Sequence, residues 1–464
     1  MVSLQPTDIN PNSIPPTSLT GCSPNQQILP LSAQIDQEEQ LMIGEISVSE
    51  LVAQYGSPLY IVDEQTVRVA CQQYRQSFQD FYPGFSQVLY ASKAWSCKAL
   101  CALVASEGLG LDVVSGGELY TALQAGVDPT DIYFHGNNKS ITELEMALDS
   151  GCTIIADNWL ELEQLVELSA SSKKQETAPR VMLRITPGIE CHTHEYIQTG
   201  HLDSKFGFDP NQIDQVLAFA QKHPQINWVG FHAHIGSQIF ELQPHQDLTS
   251  VIVGWLAKAR ALELAMNELN VGGGLGMRYV ESDDPPSIAQ WSEVVCKGIL
   301  QACQSAQLPL PKLLCEPGRS LIGPACITAY TVGAQKDIPN IRTYLSVDGG
   351  MSDNPRPITY QSSYSAAIAN RMESAATETI TVAGKHCESG DILLKDINLP
   401  PSQPQDVLVV MGTGAYNYSM ASNYNRLPRP AAVLVCNGDA SLILKRETYQ
   451  DLVRHDYLPR HLEQ

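Results

Sequence analysis

The chain is predicted to fold as an α/β protein in which a parallel, eight-stranded (β/α)8 barrel of the TIM type is followed by a second, mostly antiparallel β domain. Three observations lead there. Between Gly84 and Gly323, eight short apolar runs alternate with stretches of helical character, the pattern of parallel β/α units. Several of those runs end in a polar or glycine-rich tip, where barrels place their chemistry. After about Leu321 the runs shorten and are separated by Pro, Gly, Asn and Asp, which is an antiparallel signature.

Residues 1 to about 35 are rich in Pro, Ser, Asn, Thr and Gln, and are expected to be a disordered or loosely attached arm without an assigned role. Residues 36–62 are expected to pack with the β domain, with VSELVAQYG as a helix and SPLYIVDE as a strand. The barrel is assigned to residues 63–320. Its strands are QVLYASK, LGLDVVS, DIYFHG, CTIIADN, RVMLRIT, WVGFHAHIG, ELNVGGG and KLLCEPG. Residues 321–464 form the C-terminal β domain, with strands in ACITAYTVGAQ, RTYLSVDGG, ETITVAGKHCES and DVLVVMGTGAY.

A chain of 464 residues with 43% hydrophobic content can bury a large core divided between two domains. The net charge of −21 and the lack of a basic stripe argue against nucleic acid and anionic membranes as partners, and favour a small-molecule substrate. No apolar run is long enough to span a bilayer. Twelve cysteines without a CxxC pair or zinc-like spacing suit reduced thiols. No Lys or Arg precedes Arg68, as a secretory signal or transit peptide would require, so a cytoplasmic protein is expected.

Lys93 closes the first barrel run and is a candidate Schiff-base anchor, since burial beside other cations would lower its pKa toward the neutral amine. From position alone it reads as readily as a solvated lysine at a helix start. Gly272–Gly274 after strand seven would let backbone amides approach a phosphate, with Arg319 after strand eight adding directional donors; the triple glycine is otherwise a tight turn. Glu316 could pair with a protonated pyridine nitrogen, or be an ordinary buried ion-pair partner. His234 could stack on a cofactor ring and Ser237 could bind its phosphate, although a barrel histidine is often a hydrogen-bonded core residue. Cys387, between His386 and Glu388, could donate a proton to a carbanion, or be structural. His192 and His194 lack a carboxylate cluster at ligand spacing, so no metal is expected. Taken together, the lysine, the phosphate-binding tips, the ring partner and the proton donor point to pyridoxal phosphate.

The motifs YASKA, LDVVSGGEL, FHGNNKS, HTHEYIQTG with DSKFGF, HAHIGSQ, GGGLG, EPGRS, CESGD and GAYNYSMASNYN occur in the order found in the fold III pyridoxal phosphate decarboxylases. From about Pro58 to His455 the chain resembles that family, whose fold is alanine racemase-like, and within it the diaminopimelate decarboxylases, which the HTHEYI…TG…SKFG block and CESGD distinguish from ornithine and arginine decarboxylases. The resemblance implies Lys93 as the covalent cofactor anchor, with Ser237, Gly273, Gly274, Gly318, Arg319 and Tyr416 at the phosphate or lining the cofactor pocket, Glu316 at the pyridine nitrogen and His234 on the ring. It implies Arg319, Arg356, Tyr360, Glu388 and Tyr416 as substrate contacts for meso-2,6-diaminopimelate, and Cys387 as proton donor from the neighbouring subunit of a homodimer with shared active sites. Trp95 stands where the family usually has asparagine, which leaves the local pocket packing open. Rival readings are a decarboxylase of carboxynorspermidine, ornithine or arginine, a non-catalytic paralogue, and an alanine racemase, which would leave CESGD unexplained.

Overall fold

The computed structural model describes residues 23–171, 178–189 and 203–463. His192 and His194, and with them the HTHEYIQTG motif, lie outside the described residues.

Eight parallel strands close into a barrel: Ser86–Ala91, Gly110–Val113, Ile132–Phe134, Thr153–Ala156, Arg180–Arg184, Asn227–His232, Glu268–Asn270 and Lys312–Cys315. Six fall within the eight apolar runs, and the other two, Ser86–Ala91 and Asn227–His232, begin one residue ahead of theirs. The strands are short and almost wholly buried because helices cover the outside while side chains fill the inside. Leu89, Tyr133, Ile155, Met182, Val229 and Leu314 make a separate apolar cluster that plugs the barrel interior. The outward residues of the same strands join the larger core beneath the helices, as Phe231 does against Trp255 of helix Gln243–Ala261.

The second domain is built on a nine-stranded sheet. Along its main path the order is Ile392–Leu399, Glu378–Ala383, Arg342–Val347, Cys326–Ile338, Leu59–Asp63, Ala431–Cys436 and Asp439–Leu444, with Val407–Met411 paired to the long central strand and Ala366–Ile368 paired to Val407–Met411. Most pairings are antiparallel. Two are parallel, Arg342–Val347 with Glu378–Ala383 and Leu59–Asp63 with Ala431–Cys436. The segment Leu59–Asp63 therefore lies inside the β domain's sheet, between strands that follow the barrel in sequence. Helix Glu64–Phe81 leaves it directly, capped by the Asp63 carboxylate, which accepts from Thr66 N–H at 3.1 Å.

The expected loose arm needs correction from Ser23 onward. Ser23, Pro24 and Asn25 are buried, and Asn25 makes side-chain hydrogen bonds to residues more than two hundred positions away. A short three-stranded sheet, Gln34–Ile35, Leu41–Ile43 and Ile46–Ser47, and helix Val48–Tyr55 follow, with Leu41, Ile43, Val48 and Leu51 entering a core shared with the β domain. Small polar and proline residues are frequent at Ser23–Gln27, where hydrogen bonds to backbone carbonyls hold the chain, whereas Ile28, Leu29 and Ala33 pack against the same apolar core.

Candidate active site

Two residues beyond the apolar plug, the strand alternation places a second inward layer at the carboxyl end of the barrel. From Tyr133 the step reaches His135, from Ile155 Asp157, from Met182 Arg184 and from Leu314 Glu316. All four of the residues reached are buried. The layer is organised around Glu316. Its Oε1 accepts from Asn270 Nδ2 at 2.6 Å and lies 2.8 Å from His135 Nε2, and its Oε2 lies 3.0 Å from His232 Nε2.

Burial alone would raise the Glu316 carboxyl, but the two histidines and their N–H donors outweigh it and hold the group well below the usual carboxylate range. His232 is itself pushed down to about 3, chiefly by burial, so it serves Glu316 as a neutral donor rather than as a cation. Asp112 stands 3.7 Å from His135 Nε2, and burial pushes its carboxyl up to about 6. Although His135, His232 and Glu316 have metal-ligand chemistry and lie close together, Glu316 already accepts along the directions that a cation would take.

Lys93 sits in the turn Ser92–Ala94 that ends the first barrel strand. It is exposed to the cavity, as position alone suggested, rather than buried as the pKa argument for a Schiff-base anchor supposed. His234 Nδ1 accepts from Gly273 N–H at 3.2 Å, and burial, reinforced by Lys93 and Arg184, pushes the ring well below the usual histidine value. Gly273 has no room for a side chain, since a Cβ would lie 2.2 Å from the Glu316 carbonyl oxygen. Gly274 has φ +122, open to glycine and strained for other residues. Arg319 is buried, and its Nε donates to Ser237 Oγ at 3.0 Å. The Tyr416 ring lies 4.8 Å from the Arg319 guanidinium, and the Tyr416 N–H donates to Ala94 O at 2.8 Å, tying the β domain to the Lys93 turn.

A small pocket of about 40 Å³ is lined by Lys93, His234, Ser237, Gly274, Glu316 and Arg319, together with Gly273, Gly318 and Tyr416. It shares Lys93, His234, Ser237, Arg319 and Tyr416 with a larger cavity of about 520 Å³ at the junction of the two domains. An aldehyde-bearing, phosphorylated pyridine requires an amine, a carboxylate kept ionised, and a glycine–hydroxyl–guanidinium cradle around one space. These residues supply all three, so pyridoxal phosphate fits the pocket.

Arg356 and Tyr360, both from helix Arg356–Tyr360 of the β domain, line the larger cavity. Arg356 Nη1 donates to Tyr279 Oη at 2.9 Å and Tyr364 Oη at 2.7 Å, and Arg319 Nη1 donates to the same Tyr279 Oη at 2.7 Å. Burial would raise the Tyr279 phenol, yet the two guanidiniums bring it below its usual value. Cys387 and Glu388 are not part of this wall. Cys387 is exposed, with its N–H donating to Asn425 Oδ1 at 2.8 Å, and Glu388 lines a separate groove beside Lys336, Arg342 and Lys395. Trp95 is fully buried outside the pocket, stacked on Tyr418 with ring centroids 5.4 Å apart.

Sequence reasoning missed His135, His232, Asn270, Tyr279 and Tyr364. His135 could have been found by stepping two residues from Tyr133 along a strand already identified. His232 could not, since an irregularity at Trp228–Gly230 makes the step from Val229 reach the outward Phe231, and no plug residue lies on the strand of Asn270. Tyr279 and Tyr364 lie in segments with no periodic signal.

The chain matches the family model for the pyridoxal-dependent decarboxylase, pyridoxal binding domain, over residues 64–323. It is 62% identical over 449 residues to a diaminopimelate decarboxylase of Synechocystis, covering 95% of each chain. To the diaminopimelate decarboxylase of Bacillus subtilis it is 46% identical, covering 91% of this chain and 96% of the relative. Among solved structures it resembles the diaminopimelate decarboxylase of M. jannaschii in complex with L-lysine, with a TM-score of 0.88, 30% identity, and coverage of 95% of this chain and 100% of that one.

Proposed function

Since the chain belongs to the pyridoxal-dependent decarboxylases, within the diaminopimelate decarboxylase family, we propose how its residues divide the work of that reaction. The enzyme converts meso-2,6-diaminopimelate to L-lysine and carbon dioxide, the last step of lysine formation by the diaminopimelate route, with pyridoxal phosphate as its cofactor. When bound, that cofactor supplies an electron-accepting ring for the bonding electrons of the departing carboxylate.

Lys93 would hold the cofactor through its side-chain amine at the mouth of the barrel. Glu316, kept ionised by its donors, holds a proton at the ring nitrogen and so strengthens the electron sink. His234 covers the ring, while Ser237, Gly273, Gly274, Gly318 and Arg319 hold the phosphate and Tyr416 closes the pocket. At the far end of the cavity Arg319, Arg356 and Tyr360 bind the carboxylate that is not lost, and Glu388 binds the distal ammonium. Cys387 returns a proton to the carbon that has lost carbon dioxide.

The observation that carries this reading is the convergence of Lys93, the ionised Glu316 and two guanidiniums on two joined pockets, from which the thiol and carboxylate of Cys387 and Glu388 stand apart. Cys387 and Glu388 are exposed on the β domain outside those pockets. A homodimer in which each chain lends these two residues to its partner's cavity accounts for both facts. The reading includes a cytoplasmic location, in keeping with the free state of every described cysteine. Among the described residues no helix is long and apolar enough to cross a membrane.

The test is to assay the holoenzyme on meso-diaminopimelate, L-ornithine, L-arginine and carboxynorspermidine, and to mix two inactive variants, Lys93→Ala and Cys387→Ala. Turnover of diaminopimelate alone, with activity regained on mixing, is the expected result. Equal turnover of ornithine would overturn the substrate, and a mixture that stays inactive would overturn the shared site.

A further inference from the structure

The amino-terminal segment from Ser23 to Gln26 makes contacts that converge on one loop. After the glycines of strand seven the chain runs through Gly276–Pro286, which brings Tyr279, Val280, Ser282 and Asp283 into the cavity wall. Asn25 is 0% exposed, and its side-chain nitrogen donates to Gly276 O at 3.0 Å and to Pro286 O at 2.9 Å, the two ends of that loop. Its main-chain carbonyl accepts from Arg278 N–H at 2.8 Å, one residue before Tyr279. Gln26 Nε2 donates to Pro285 O at 2.9 Å. Ser23 Oγ accepts from Ile288 N–H at 3.1 Å and donates to Gln73 Oε1 at 3.0 Å, fastening the segment to helix Glu64–Phe81.

The loop is also tied internally and to the β domain. Asp283 accepts from the N–H groups of Tyr279 and Val280 at 2.9 and 3.2 Å. Ser365 donates to Tyr279 O from its N–H at 3.1 Å and its Oγ at 2.9 Å. What the loop delivers is a single phenol oxygen placed between Arg319 and Arg356. Two guanidiniums drawn to one acceptor have fixed directions; without it, like charges would spread the side chains apart.

We propose that Asn25 and Tyr279 are positioning residues for the substrate. Asn25 clamps the loop at both ends, and Tyr279 holds Arg319 and Arg356 at the spacing that takes a substrate carboxylate. The proposal rests on the decarboxylase reading of the cavity. Among the described residues neither Lys93 nor Glu316 hydrogen-bonds to this loop, so its disturbance reaches carboxylate binding rather than the step at the reacting carbon.

The experiment uses the full-length holoenzyme and the variants Asn25→Ala, Asn25→Asp and Tyr279→Phe. KM and kcat for meso-diaminopimelate, cofactor content by absorbance, and amide hydrogen exchange over 276–286 are read for each. KM should rise roughly tenfold with kcat within about twofold of wild type, because buried hydrogen bonds that orient the binding groups are lost. Cofactor content should be unchanged in Asn25→Ala and only modestly lower in Tyr279→Phe, where Arg319, which also serves the phosphate, keeps its bond to Ser237. Exchange over 276–286 should quicken in Asn25→Ala while the barrel strands keep their protection, and Asn25→Asp, which sets an acceptor against two carbonyls, should be at least as impaired. Should Asn25→Ala fail to fold, Asn25→Ser carries the same test. Unchanged loop exchange, faster exchange with an unchanged KM, or equal loosening of the whole barrel would each overturn the proposal. A wild-type chain inactive on diaminopimelate would instead bring down the decarboxylase reading and the substrate role with it, while loop exchange would still decide whether Asn25 is the clamp.

Discussion

Replacing Asp353 by asparagine should stabilise the protein, and the gain should grow with pH. Asp353 is 2% exposed in the loop that leads to Arg356. Its Oδ1 accepts from Tyr330 Oη at 2.5 Å and its Oδ2 from Gly350 N–H at 2.9 Å. Burial raises its carboxyl from 3.8 to about 7, with the Tyr330 and Gly350 bonds opposing. Between those values the unfolded chain is ionised and the folded chain is protonated, so the unfolded state binds fewer protons and stability falls as pH rises. At about 1.4 kcal/mol per pH unit, the interval from 3.8 to about 7 is worth up to about 4 kcal/mol, reached in full above the upper value. Asparagine keeps an acceptor for Gly350 and turns a donor toward the Tyr330 oxygen, and it carries no charge at any pH. Urea melts of the two proteins should therefore lie close together near pH 4 and separate as pH rises, with the gap widening by about 3 kcal/mol between about pH 5 and about pH 8. A pH-independent difference, or a variant less stable than wild type at the upper end, would refute the reasoning.

Arg356→Met removes a guanidinium, takes from Tyr364 its donor and leaves Tyr279 with Arg319 alone; KM for diaminopimelate should rise by roughly a hundredfold, as for loss of a charged pair worth about 3 kcal/mol, with cofactor content intact by absorbance. Gly273→Ala should lose cofactor binding or folding outright, checked by absorbance and circular dichroism, because the new methyl would sit 2.2 Å from the Glu316 carbonyl oxygen. Trp95→Ala should cost about 3 to 5 kcal/mol in denaturant unfolding, since it empties a fully buried site stacked on Tyr418 and edge-on to Tyr60. Restoring stability with Trp95→Phe would mark that contact as apolar packing, because among the described residues the Trp95 ring nitrogen finds no hydrogen-bond partner.

The barrel was legible because each strand is a compact apolar run with its own ending, and local pattern suffices for such elements. Lys93, Glu316 and Arg319 were legible for the same reason, being the tips of those runs. The second inward layer was legible in principle, as His135 follows Tyr133 by one alternation, but single-residue attention to motifs passed over it. Tyr279 and Asn25 act through contacts between distant segments, and neither composition nor period records a pairing of residue 25 with residues 276 and 286. That Lys93 faces a cavity was unreadable for a related reason: it depends on space left between two domains.

The strand Leu59–Asp63 has a consequence for how the molecule is made. It leaves the ribosome early, yet its partners Cys326–Ile338 and Ala431–Cys436 emerge only after the whole barrel has been synthesised, roughly 260 residues later for the first of them. The sheet cannot be completed during vectorial synthesis until the barrel has closed and brought its two ends together. The barrel thus acts as the tether that shortens a very long loop, and the β domain, including Arg356, should be the last part of the chain to acquire protection from exchange.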